Sequence, residues 1–394
     1  ERESIARAAT TERGELFATH PADGDRIARA RAADVVPLVS CREPATRLFA
    51  DFPALCRAFS IEVFSTALSG TVEPRNLRPV EEILAREHRE DEAGSAADRW
   101  LAGDTSPHLP FPGVGGPASG TADECAESLR VARRELSWCA LPQREEWGAA
   151  FEPLSRYGHS FFIESVVGAD KPYKDHSIGL SVRTRSQARA EREQAWADFE
   201  TCSRPFADRR RLVDRRLSTA LGWLVSPEAL TLLPDAATRG DDVLRLSRAL
   251  GSLAAKQPEW IRLTGFLHAL EVWFQHASNE EIDDASRKAI ETLFGQAATE
   301  LRSIRAALVD EPYPLEHADP TMTLGRYLLP EPVSAWDSDA VYGAASRLRS
   351  LFPWLAWQLV GRLVLQAEAA EAALGLASQE PPPAPGPPDA VTKP

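Results

Sequence analysis

The chain has 394 residues, of which 43% are hydrophobic, enough for one large hydrophobic core or two smaller ones. Its formal net charge of −13 argues against nucleic acid as an obligate partner, because binding a phosphate backbone needs clustered, unopposed Lys and Arg. Five cysteines with no CxxC pair indicate neither a disulfide framework nor a structural zinc site, so a reducing compartment fits best.

The N-terminus indicates a segment of a longer protein. The single methionine is Met322, and the chain begins at Glu1, which is too large a residue to follow a removed initiator methionine. We therefore expect that part of the parent protein precedes Glu1, and that catalytic residues lie there.

The first hundred residues have a helical pattern of apolar residues, interrupted by Pro and Gly. The pattern predicts helices at 4–16 and 25–36, and a third at 41–68 with a kink or break at Pro53. A fourth helix is predicted at 79–89. The segment 103–120 contains five Gly and four Pro, which predicts a flexible connection.

From residue 121 the helical pattern resumes and continues to about residue 376. The exception is 161–182, where two apolar stretches, Phe161–Ile163 and Ile178–Val182, flank a turn and predict a small hairpin. Further helices are predicted at 184–225 with a break near Pro205, at 241–256, at 259–277, at 280–309 with Asn279 as N-cap, and at 337–376. The fold class is therefore all-α, a multi-helix array with one small hairpin near 161–182.

The familiar catalytic motifs are absent from the sequence, which contains no HExxH, no GxxxxGK[ST] and no GxSxG. His268 and His276 lie about 12 Å apart along a helix, too far to share one metal without other ligands. The basic run at 208–216 has interleaved acidic and apolar residues, which favours a solvated amphipathic helix over a nucleic-acid site. A cysteine paired with His88, His159 or His176 has no local signature in its support.

One segment, LFATHPADGDRIA at 16–28, stands out. Pro21 suits the first turn of the following helix, so His20 lies at or just before the cap, near unpaired N–H groups and the positive end of the helix dipole. Such a position favours a neutral imidazole, which can donate to a developing oxyanion or bind a metal. The alternative is a Thr-His-Pro turn in which His20 is an incidental cap.

The pattern Phe-x-Thr-His-Pro followed by Asp-Arg-Ile is similar to the closing motif of the HtpX-like and CaaX-prenyl-protease family of membrane zinc metallopeptidases. The resemblance implies that His20 steadies the tetrahedral intermediate beside the zinc or regulates the metal, and that Arg26 anchors the following helix. The motif covers about a dozen residues, and the zinc histidines and the third zinc glutamate of the family have no counterpart in this chain. Two later stretches, 311–317 and 324–327, resemble the helical extension of some large bacterial members.

The resemblance implies a domain division: 1–36 ends a metallopeptidase-like domain, 37–102 is a helical extension, 103–120 a linker, 121–376 a large helical domain, and 377–394 a Pro-rich tail, disordered or polyproline. The chain would then be the non-catalytic C-terminal region of a zinc metalloendopeptidase. The parent would be anchored in the bacterial inner membrane, with this region on the cytoplasmic side.

The partners implied are the upstream peptidase domain and a protein or peptide substrate, with no nucleic acid and no membrane span in this chain. Zinc would belong to the parent, and we expect this chain to hold no cofactor and to lack peptidase activity by itself. The alternative function is a stand-alone helical interaction or scaffold protein without enzymatic activity.

Overall fold

A computed structural model of the chain describes residues 28–29, 32–33, 45–67, 72–74, 77–102, 106–112, 120–139, 144–169, 171–175, 180–277, 282–332, 334 and 337–376. The chain divides into two compact units, Glu1–Glu82 and Ile83–Pro394. Nearly all secondary structure in the described residues is helical, with a single pair of short strands, which confirms the predicted all-α class with one small hairpin.

The first unit contains a 3-10 helix, Ala45–Leu48, and helix α1, Phe52–Ala67. The Asp51 carboxylate accepts a hydrogen bond from the Ala54 N–H at 2.9 Å, so α1 begins at the predicted break beside Pro53. No residue of α1 is buried, and its apolar stripe, which includes Phe59, is exposed. The predicted helices at 4–16 and 25–36 lie largely outside the described residues.

The described residues of the second unit form helices α2 to α12, in chain order. They are α2 (Val80–Leu101, whose first three residues belong to the first unit), α3 (Ala122–Trp138), α4 (Arg144–Gly168), α5 (Arg185–Cys202), α6 (Arg204–Leu224), α7 (Ala229–Leu232), α8 (Ala236–Ala254), α9 (Gln257–Ala277), α10 (Asp284–Leu308), α11 (Leu324–Leu328) and α12 (Ser338–Ala373).

The hairpin lies between α4 and α5. Strand β1, Tyr173–Asp175, pairs antiparallel with strand β2, Leu180–Val182, and Tyr173 faces Val182 in the register. The second strand falls where the sequence predicts it, but Phe161–Ile163 is helical and buried in α4. The prediction of a strand at Phe161–Ile163 is therefore wrong. The periodicity of so short an apolar run cannot distinguish a strand from a buried helix.

Helix α12 is the centre of the second unit, and it packs against α6, α8, α9, α10 and α11. Because it has neighbours on most sides, its apolar residues occupy most of its circumference, in contrast to an amphipathic surface helix. Trp260 of α9 stacks on Phe352 of α12 with ring centroids 5.6 Å apart. Among the described residues, no helix has the length and apolar content needed to cross a bilayer.

Side-chain caps fix the beginnings of several helices. Thr121 and Thr184 each form a complete capping box, with Glu124 and Gln187 as the reciprocal partners. The predicted Asn279 cap of α10 lies outside the described residues, and the helix begins instead after Asp283, whose carboxylate accepts from a backbone N–H at 2.8 Å.

The basic run at 208–216 is helical as predicted, but its arginines are not all solvated. Arg210 is 3% exposed and donates to the carbonyl oxygens of Pro110 and Ser106 at 2.9 and 3.0 Å. Arg209 is also buried and donates to carbonyl groups at the end of α3. Because these acceptors lie 70 to 104 residues away in the chain, the local sequence does not show them.

The same contacts hold part of the predicted flexible connection. Residues 106–112 lie inside the second unit, where Leu109 and Phe111 are buried. The Gln257 side chain donates to the carbonyl oxygens of Pro107 and Leu109, both at 2.7 Å. A Pro-rich segment has few N–H groups to satisfy, and its carbonyl groups are satisfied here by side chains from α6 and α9.

His108 makes the stability of this segment depend on pH. Its ring lies 5.4 Å from that of Trp260, and burial lowers its pKa from 6.5 to about 4. Below pH 6.5 the unfolded chain binds a proton that the folded chain does not bind until about pH 4. We expect this group to reduce the free energy of unfolding by about 3 kcal/mol as the pH falls through that window.

The measurement is urea denaturation at several pH values between 7 and 4, for the natural chain and for His108→Asn. The variant should lose less stability across this window, whereas His88→Asn, at an exposed position of α2, should follow the natural chain. Parallel curves for all three proteins would contradict the assignment.

Candidate functional site

His20 and Arg26, the two site residues implied by the resemblance, lie outside the described residues. Their roles beside a zinc ion therefore stay predictions. In the described part of the chain, no group of three or more His, Cys, Asp or Glu side chains is arranged to hold a metal ion.

Of the remaining histidine candidates, His159 and His268 are partly buried in the helical array. His88 is exposed on α2, and His176 lies outside the described residues. His159 Nε2 forms a hydrogen bond with the Tyr173 hydroxyl at 2.8 Å, which ties α4 to the hairpin. Its ring lies 5.9 Å from that of His268, whose pKa is lowered mainly by burial. The side chain of His276 lies outside what the structure describes. These contacts give His159 and His268 a structural role.

One candidate site is an open cleft of about 450 Å³ in the second unit. Its walls come from α2, α11, α12 and the loop between α10 and α11. Aromatic and apolar side chains form one part of the lining and charged side chains the other. The lining residues are Arg86, Glu90, Tyr313, Leu315, Glu316, His317, Tyr327, Ser350, Leu351, Trp354 and Arg362.

Backbone hydrogen bonds fix the loop that carries four of these residues. The N–H of Tyr313 donates to the Met322 carbonyl at 2.9 Å, and the N–H of Leu324 donates to the Glu311 carbonyl at 2.8 Å. The two bonds close the base of the loop, and Thr323 then caps α11. The loop therefore holds its side chains against α12 as an ordered part of the fold.

The aromatic wall of the cleft is a pair of stacked tyrosines. The rings of Tyr313 and Tyr327 lie 4.3 Å apart with an angle of 30° between their planes. Burial raises the pKa of Tyr313, and the hydrogen bond to Tyr327 and the charge of Glu90 raise it further. Tyr313 therefore stays a neutral phenol near pH 7, and it is suited to packing and hydrogen bonding but not to acting as a base or nucleophile.

The charged wall centres on Glu316. Its carboxylate lies 3.5 Å from Arg89 Nε and 3.2 Å from Arg362 Nη2. Burial alone would raise the pKa of Glu316, but a backbone hydrogen bond and the two guanidinium groups outweigh it, so the net pKa is lowered. Arg86 pairs with Glu90 at 3.4 Å on the same side and is more than half exposed. The lining thus holds two arginines, Arg86 and Arg362, and two carboxylates, Glu90 and Glu316, and these charges balance.

The hydrogen bonding of His317 argues against a serine hydrolase. Its Nδ1 accepts from the N–H of Asp319 at 3.0 Å and lies 3.3 Å from the Asp319 carbonyl oxygen, and the shorter bond favours a neutral ring with its proton on Nε2. A histidine that activates a serine needs the opposite arrangement, with the proton on Nδ1 and a free Nε2. Although Ser350 also lines the cleft, His317 is not prepared to accept its proton.

A second, smaller cleft of about 260 Å³ lies between α4, α5, α9 and α10. Its principal acid, Glu164, accepts from Arg189 and Arg192, both at 2.7 Å. This cleft is smaller than the first, and its lining contains neither tyrosine nor tryptophan, so it has a weaker claim to a ligand.

No family model, curated protein or solved structure matches this chain. The cleft is therefore interpreted from its own chemistry. Sequence reasoning singled out 311–317 and 324–327 only by resemblance to a helical extension, and no local signal joined them to Arg86 or Trp354.

Proposed function

We propose that this chain is a helical recognition module, without catalytic machinery of its own in the cleft, that binds an extended polypeptide segment. One observation carries the proposal: an open cleft presents stacked tyrosines and a tryptophan beside a cluster of arginines. Flat aromatic faces are the surfaces on which proline rings pack in recognition of polyproline helices. Arg86, whose side chain is more than half exposed, adds a partner for an acidic residue next to the prolines.

The module's place in a larger protein is a proposal that rests on the resemblance around His20. In a zinc metalloendopeptidase, such a module would engage a substrate or regulatory partner while the upstream domain performed the hydrolysis. The alternative is a stand-alone interaction protein that uses the same cleft. An HExxH helix encoded upstream of Glu1 would favour the first account, and a start codon a few residues upstream would favour the second.

A labelled proline-rich peptide with an acidic residue at each end is expected to bind the full chain. Replacing Trp354 by alanine should weaken binding by at least about tenfold, since loss of an aromatic anchor commonly costs 2 kcal/mol or more. Fluorescence anisotropy measures the affinity. Trp138→Ala, which removes a tryptophan that is 75% exposed and outside the cleft lining, is the matched control and should bind normally.

A second variant separates binding from folding. Because Arg86 is exposed, Arg86→Glu should leave the fold intact while weakening binding of the acidic peptide severalfold at low salt. A peptide with serine in place of every proline should not bind. Equal affinity of both peptides, or unchanged affinity in both cleft variants, would refute the proposed function.

A further inference from the structure

We propose that the Pro-rich tail of this chain is an occupant of the cleft, and that it competes there with the external peptide. This inference rests on the proposed function of the cleft. The tail, at 377–394 outside the described residues, contains the sequence EPPPAPGPPD from Glu380 to Asp389. It combines the two features that the cleft is suited to recognise, which are a run of prolines and acidic residues at both ends of that run.

The tail is long enough to reach the cleft. Trp354 lies 19 residues before the end of α12 at Ala373, a distance of about 28 Å at 1.5 Å per residue. In a polyproline conformation that rises about 3.1 Å per residue, Pro388 lies up to about 37 Å beyond Leu376. The last prolines can therefore return to the level of Trp354 with a few residues to spare.

The end of α12 permits such a return. Gly375 has a φ of +71°, and the N–H of Leu376 donates to the Glu371 carbonyl at 2.9 Å. These features define a Schellman motif, in which a left-handed residue ends the helix and the chain leaves the helix axis. The chain therefore leaves the axis of α12 at Leu376, directly before the tail.

One exposed charge is available to the same occupant. The lining as a whole is charge-balanced, but the side chain of Arg86 is more than half exposed and can reach an acidic residue of a ligand. Glu380 and Asp389 enclose the prolines of the tail, whose single basic side chain, Lys393, lies beyond them. Because the tail is tethered, its effective concentration at the cleft is in the millimolar range, so even weak binding keeps the cleft largely filled.

Backbone relaxation of the tail tests the inference directly on the full chain. The amides of Ala384 and Gly386 lie between prolines and report on the tail. We expect their order parameters to exceed about 0.8 in the natural chain and to fall below about 0.6 in Trp354→Ala and in Arg86→Glu. Trp138→Ala should leave them unchanged. Low order parameters in the natural chain, or high values that persist in both cleft variants, would overturn the proposal.

A variant that is substituted only in the tail tests the proposal without changing the residues of the helices. In the doubly substituted chain Pro385→Ser, Pro387→Ser, the external proline-rich peptide should bind about tenfold more tightly than it binds the natural chain. Equal peptide affinity for both chains, with a mobile tail, would overturn the tail assignment and leave the proposed function standing. Absence of peptide binding to the tail variant would overturn the proposed function itself. If the order parameters of the tail fall when the protein is diluted, the tail occupies the cleft of a second copy. That result would overturn the proposal that the tail occupies the cleft of its own chain.

Discussion

Replacement of Glu371 by glutamine is expected to lower the free energy of unfolding by about 3 kcal/mol, near the lower end of the range for breaking a buried ion pair. Glu371 is 4% exposed and accepts two hydrogen bonds of 2.7 Å from Arg216, while Arg133 lies 3.8 Å away. Arg216 also lies over the Trp100 ring at 3.7 Å. Loss of the carboxylate removes the charge that opposes Arg216, a guanidinium group with little access to water, at the junction of four helices.

Urea denaturation at pH 7 measures the loss, and Glu127→Gln provides the control. Glu127 forms an exposed pair with Arg130 on α3, so its replacement should cost less than about 1 kcal/mol. Replacing both partners of the closer pair, as Glu371→Leu with Arg216→Met, should recover part of the stability, because the Arg216 guanidinium is removed together with its carboxylate while Arg133 remains. A similar small loss in Glu371→Gln and Glu127→Gln would show that the buried pair contributes little.

Gly361→Ala is expected to destabilise the protein by at least about 3 kcal/mol, because overpacking against a backbone cannot be relieved by rotating a side chain. A Cβ atom at this position of α12 would lie well inside van der Waals contact with the carbonyl group of Ala93 on α2. To accept the methyl group, the two helices would have to separate, which would also strain the hydrogen bond from Gln358 to the Glu90 carbonyl.

Gly343→Ala is the matched control in the same helix. A Cβ at position 343 meets nothing within 4 Å, so the substitution should stabilise the helix by up to about 1 kcal/mol. Thermal denaturation monitored by circular dichroism distinguishes the two variants, since their melting temperatures should move in opposite directions. A stable Gly361→Ala protein would show that the crossing of α2 and α12 is not a tight contact.

The helices were the most predictable part of the fold. Helices α6, α8, α9, α10 and α12 follow from the spacing of their apolar residues, and the break near Pro205 falls where α5 gives way to α6. The local sequence pattern did not predict which side chains are buried where their hydrogen-bond partners are distant in the chain. Arg210 is buried because carbonyl groups about 100 residues away accept its hydrogen bonds, and 106–112 is packed for the same reason.

The cleft was much less predictable than the helices. The sequence places Trp354 on a core helix and leaves Arg86 on an amphipathic one, and nothing in either pattern brings them to one surface. Their proximity depends on how α2, α11, α12 and the loop at 309–323 assemble. The family resemblance concerns a different part of the chain, around His20. The role of His20 stays a prediction.

The close crossing at Ala93 and Gly361 has a consequence for the thermodynamics of recognition. Glu90 of α2 and Arg362 of α12, both in the cleft lining, lie within one turn of the two residues that meet there. The distance between α2 and α12 at this part of the cleft is therefore fixed by a backbone contact, which resists adjustment to a ligand. The loss of conformational entropy on binding then falls on the peptide. This favours peptide sequences that are already stiff and extended before they bind.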